Sequence, residues 1–124
     1  MNHEELVQSA CEHALVALRA AKLNFRPMQR RGCVNTKRSF VIGRTNLKTG
    51  LITIDIFTPR KREPKKLSSI LRVLSHEVAH HQKPPYRQFY RFRWICRQHY
   101  PKFYKQVKKN ILVLQNDEFL KDYF

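Results

Sequence analysis

His76, Glu77 and His80 stand in the stretch LSHEVAHH, and their spacing narrows what this chain can become more than any other feature. Histidines four residues apart lie one above the other on the same face of an α-helix, so the pattern predicts a helix over about 66–82. The neighbouring apolar residues agree: Leu67, Ile70, Leu71, Leu74 and Val78 recur at helical spacing and form one continuous stripe. On the helical wheel that stripe lies opposite the two histidines, whose own side carries Ser69, Val73 and Ser75, with Ala79 beside them. Such a helix packs its back into a core and turns its histidines towards a cleft. Pro84 and Pro85 end it.

Two imidazoles one turn apart can reach a single zinc ion. Glu77 points to the next sector of the helix, where a carboxylate can take the proton of a water that the metal activates for attack on a carbonyl. The spacing therefore suits metal-assisted peptide hydrolysis, with His76 and His80 as ligands and Glu77 as the catalytic base. Without that chemistry, the same residues are the wet face of an amphipathic helix.

A catalytic zinc usually takes three protein ligands and keeps one open position. His99, in HYPKFYK, begins a later helical segment and offers a third imidazole. Glu118 is the carboxylate alternative, and a two-ligand site is the remaining option. His81 adjoins His80 but points about 100° away, which sets it apart from the same ion. Tyr86 and Gln88 are poor zinc ligands at neutral pH.

The order of elements places these residues in an α+β domain. An amphipathic helix is expected over about 3–22, with Leu6, Val7, Ala10, Cys11, Ala14, Leu18 and Ala21 on one face. Pro27 and Gly32 punctuate the segment that follows. Alternating, β-branched runs predict a hairpin with strands near 39–45 and 51–57, joined by a turn at 46–50. LITIDIF, at 51–57, is a candidate sheet edge for pairing with an extended substrate. The basic linker TPRKREPKK then leads into the motif helix. Two further helices are expected over about 86–98 and 101–115, with Pro101 at the first turn of the second. At 124 residues this is a single domain.

The charge is extreme. Lysines and arginines outnumber carboxylates to give a formal net charge of +16. It is carried by Arg30 and Arg31, by Arg60, Lys61, Arg62, Lys65 and Lys66, and by the last third of the chain. Such a field favours a polyanion, most simply DNA or RNA, through phosphate contacts and counterion release. YRQFYRFRWICRQHY interleaves aromatics with Arg87, Arg91, Arg93 and Arg97, a composition that suits single-stranded nucleic acid. Read as a helix, Phe89, Phe92, Ile95 and Cys96 share a core face and leave the arginines to meet phosphates. Arg60, Lys61, Arg62, Arg87, Arg91 and Arg93 are the candidate contacts.

Cys11, Cys33 and Cys96 are odd in number and widely spaced, which fits buried free thiols and neither a disulfide frame nor a zinc ribbon. The polar, acidic start of the chain and the lack of a long apolar run predict a cytoplasmic protein with no membrane partner.

The stretch from IGRTNLKTG through LSHEVAHH, followed by HYPKFYK, resembles the SprT-like (Spartan) family of zinc metallopeptidases, over roughly residues 30–110. His76, Glu77 and His80 match its first motif, and His99 and Phe103 match a second of the form H-G-x-x-F. Tyr100 stands where that family has glycine, and no cysteine-rich tail follows. Membership would imply zinc as cofactor and cleavage of proteins bound or crosslinked to DNA, with DNA as activator. The minigluzincins, very small zincins in which a glutamate is the usual third ligand, are a near alternative. The leading expectation is thus a zinc endopeptidase acting on a protein or peptide substrate. A non-catalytic basic nucleic-acid-binding protein with a vestigial or structural zinc site is the alternative, and a metal-dependent hydrolase of another substrate is a third.

Overall fold

A computed structural model describes residues 2–28 and 41–124, and shows a small α+β domain with an N-terminal helix, two short sheets and helices towards the C-terminus. Cys33, Arg30, Arg31, Gly32 and the first residues of the strand expected near 39–45 lie outside the described residues.

Helix α1 (His3–Ala17) starts where the Asn2 side chain accepts the Glu5 backbone N–H, with Glu4 and Glu5 in the positive first turn. It is shorter than the 3–22 expected. Arg19 takes a left-handed φ of 57°, and the Ala20 N–H returns to the Leu15 carbonyl at 2.7 Å. Leu18 and Ala20 are therefore buried by a turn that ends the helix. Strand β1 (Asn24–Pro27) follows, in a segment where Pro27 predicts a break. Proline is tolerated there because β1 needs hydrogen bonds on only one side, to its parallel neighbour.

Strands β2 (Gly43–Thr45) and β3 (Leu51–Ile54) form the expected antiparallel pair. Asn46 organises their turn: its side-chain oxygen accepts the N–H groups of Lys48 and Thr49. Gly50 closes it with a φ of 78°, a region that favours glycine. The sheet order is β1-β3-β2, so β3 is central and bonded on both sides. LITIDIF is consequently no edge for a substrate. Its Ile52 and Ile54 are fully buried instead.

The basic linker is folded back by Asp55, a nearly buried carboxylate. Arg62 donates to both its oxygens, at 2.8 and 3.0 Å, and Lys65 Nζ donates to its backbone carbonyl. Helix α2 (Leu67–Gln82) then lays Leu67, Ile70, Leu71, Leu74 and Val78 into the core formed with α1 and the sheet.

Residues 86–98 depart from expectation. They form no helix but an antiparallel hairpin, β4 (Tyr86–Tyr90) and β5 (Arg93–Arg97), turning at Arg91 and Phe92 with φ of 49° and 64°. The apolar spacing fits a helix by coincidence, whereas the aromatic-rich composition after two prolines favours strands. Phe89, Phe92, Ile95 and Cys96 form no core face: Phe92 is 96% exposed, and Cys96 is exposed too. Helix α3 (Pro101–Gln115) begins as expected with proline in its first turn, and a 3-10 turn (Lys121–Tyr123) closes the chain.

Candidate metal centre

Helix α2 presents three faces. One is the buried apolar stripe. A second carries Val73, Glu77 and His81 and packs against β2. The third carries His76 and His80, whose ring centres lie 5.0 Å apart. His99 completes this face from outside the helix, 5.3 Å from the His76 ring and 5.0 Å from that of His80. The ligating nitrogens of the three lie within 4.8 Å of one another. Glu118 is not part of the cluster.

Long-range contacts bring His99 to this place. The β4–β5 hairpin carries the chain away from the end of α2 and back, so that His99 follows its second strand. Tyr100 staples the base of that loop: its hydroxyl donates to the Pro84 carbonyl at 2.9 Å, and its ring meets Tyr86 edge-on. Phe103, completely buried, forms the floor beneath all three imidazoles, with ring centres 4.5–5.2 Å away. Asn110 locks α3 to α2 by donating to the Ser75 carbonyl and to Gln82 Oε1, while accepting from Gln106.

The electrostatics suit a cation. Burial, then the neighbouring His76, His99 and His81, push His80 down to about 4. His76 is lowered by burial and by His99. Both rings are therefore neutral at pH 7, the form in which imidazole binds metal. Glu77 is pushed up to about 7 by burial, and its carboxylate has no hydrogen-bond or ion-pair partner among the described residues. A dication held by the rings would displace no proton from His76 or His80 at pH 7 and would favour the ionised form of Glu77. The donor set fits zinc.

A cleft of about 410 Å³ opens above this floor. Gly43, Arg44 and Thr45 of β2 form one wall, and Pro85 and Gln98 at the base of the hairpin form the other.

No protein-family model matches the chain, and no curated protein sequence does either. Among solved structures it is similar to the crystal structure of the metallopeptidase zymogen abylysin of Pyrococcus abyssi. The two share 21% identity at a TM-score of 0.48, over 94% of this chain and 87% of that one.

The basic candidates fall into two groups. Arg60 and Lys61 are exposed on the linker, while Arg62 is held by Asp55 and by the Phe57 ring. Arg87, Arg91 and Arg93 are exposed on the hairpin. Arg87 lies over Trp94, and Arg91 and Arg97 flank Tyr90. No helix among the described residues is long and apolar enough to cross a membrane.

Sequence reasoning missed Gly43, Thr45 and the structural use of His81 and Tyr100. Nothing in their local spacing signals them, because each acts on a residue far along the chain.

Proposed function

We propose that this chain is a zinc-dependent metallopeptidase. The observation that supports it most directly is the convergence of His76, His80 and His99 beside a buried, unpartnered Glu77 at the floor of a cleft. Zinc, when bound, supplies a Lewis acid for a substrate carbonyl and an acidified water. The three imidazoles would hold it, and Phe103 keeps their rings in place from below. Glu77, near neutrality in its basicity, would accept the proton of the attacking water and return it to the leaving amine. The histidine as third ligand supports an SprT-like site over the glutamate-ligated minigluzincin alternative.

The finer reading is a substrate associated with DNA. Nine lysines and arginines and no carboxylate side chain lie between Glu77 and Asp117. The hairpin exposes Phe89, Phe92 and Trp94 beside its arginines, a combination that suits stacking on bases and pairing with phosphates. That same surface favours the second reading, a non-catalytic nucleic-acid-binding protein with a vestigial or structural zinc site.

Zinc analysis of the purified protein, with His99→Ala, Glu118→Ala and Glu77→Gln beside it, tests the choice. One zinc per chain, lost in His99→Ala and kept in Glu118→Ala, is expected. Glu77→Gln should keep the metal and lose hydrolysis of a protein substrate. Zinc retained with no hydrolysis in the unaltered protein would leave the structural-zinc reading, and absence of zinc binding would end the metallopeptidase reading and leave a basic binding protein with a silent motif.

A further inference from the structure

Strand β2 is held unusually close to the catalytic helix, at two points on either side of Glu77. It runs along the face of α2 formed by Val73, Glu77 and His81, residues four apart and therefore stacked along the helix. A Cβ placed on Gly43 would lie 2.7 Å from Val73 Cγ1 and 3.4 Å from Glu77 Oε1. Valine in a helix has essentially one χ1 rotamer, so it cannot swing clear. Only glycine lets the strand come this near. One turn beyond Glu77, His81 Nε2 is hydrogen-bonded to Thr45 Oγ1. The strand is thus seated on Val73 by the absence of a side chain and tied to His81 by the presence of one.

We infer that Gly43 and the Thr45–His81 bond form a clamp that sets the height of the β2 cleft wall over Glu77, which makes Gly43, Thr45 and His81 positioning residues for peptide hydrolysis. This role rests on the metallopeptidase reading above. His81 acts through the strand and not through the metal, which accounts for a third histidine beside the two-histidine motif. A peptide lying in the cleft is bounded by β2, so the height of that wall decides where its carbonyl stands relative to the carboxylate. Misplacement by an ångström costs on the order of a hundredfold in rate.

The test compares Gly43→Ala, Gly43→Ala with Val73→Ala, Thr45→Val and Thr45→Ser. Zinc content, the kcat and KM of peptide hydrolysis, and amide hydrogen exchange of residues 43–45 in the metal-free protein are read for each. Gly43→Ala and Thr45→Val are expected to lower kcat by about tenfold or more. Zinc content should stay unchanged while the amides of residues 43–45 exchange faster. Removing the Val73 methyls should restore most of the loss in Gly43→Ala, and Thr45→Ser should behave like the unaltered chain. Variants with unaltered kcat and exchange overturn the clamp alone. So does a loss of kcat accompanied by loss of zinc, or one that Val73→Ala fails to relieve. An unaltered protein that neither holds zinc nor cleaves peptide overturns the metallopeptidase reading itself, a result the zinc and hydrolysis controls separate from the others.

Discussion

Asn110 Nδ2 donates to the backbone carbonyl of Ser75 at 3.0 Å, one residue before the first metal-site histidine. Through it, the helix that follows His99 is joined to the helix that carries His76 and His80. Asn110 is almost fully buried, so its amide is worth most through what its removal leaves unsatisfied. Asn110→Ala is expected to destabilise the fold by about 2 kcal/mol. It should also weaken zinc binding by roughly tenfold, since His99, the proposed third ligand, is then less firmly placed. Chemical denaturation and competitive zinc titration check the two effects separately.

Phe103 supports the same site by packing. Truncating this fully buried ring leaves a cavity under three imidazoles. Phe103→Ala should cost about 3–5 kcal/mol of stability. Phe103→Leu should cost less and retain zinc, because it preserves most of the apolar floor. Denaturation and zinc analysis of both variants provide the check.

Glu77 makes a prediction with a definite sign. In the metal-free protein its carboxyl is raised from 4.5 to about 7 by burial, so the folded state holds the proton more tightly than the unfolded one. Its contribution is therefore fully present below pH 4.5 and lost as the pH rises through 7. Glu77→Gln should match the unaltered chain near pH 4 and exceed it at pH 8. With allowance for solvent screening, the gain is on the order of 1–2 kcal/mol. Denaturation of the metal-free proteins at both pH values is the check.

His76 and His80 carry the opposite dependence. Both are lowered, His80 to about 4, so the unfolded chain binds more protons below its ordinary 6.5. Their contribution is present above pH 6.5 and is lost as the pH falls towards 4. Zinc affinity should fall as the pH approaches 4, because only there do protons compete with the metal for the His80 ring of the folded protein. A metal titration at pH 7.5 and near pH 4 that gave equal affinities would contradict the proposed ligand set.

The hairpin predicts salt-dependent binding of single-stranded DNA. Changing Arg87, Arg91 and Arg93 together to alanine should flatten the dependence of log K on log salt by about 0.7 for each phosphate that is no longer neutralised. Phe92→Ser should weaken binding without changing that slope, because stacking releases no counterions. Fluorescence titration at several salt concentrations separates the two contributions.

The motif helix is legible in the sequence because its message is local. Histidines four apart and an apolar stripe opposite them settle both the element and the face it turns to the cleft, whatever lies elsewhere in the chain. The β2–β3 pair is legible for the same reason, through alternation and an Asn-to-Gly turn. The hairpin at 86–97 is misread as a helix because its apolar residues satisfy the helical period, and periodicity does not register that Phe89, Phe92 and Cys96 stay exposed on a hairpin outside the core. β1 escapes notice because Pro27 reads as a break unless one knows that only one side of the strand is bonded.

By itself, then, the sequence determined an α+β chain with a two-histidine helix, a carboxylate beside it and a strongly basic surface. Tertiary structure decided which distant groups meet there. It brought His99 and not Glu118 to the pair, set Phe103 under them, placed β3 in the middle of its sheet and seated Gly43 against Val73. The physical reason is range: helix and turn signals act over about four residues, whereas these meetings depend on how separately formed faces pack together.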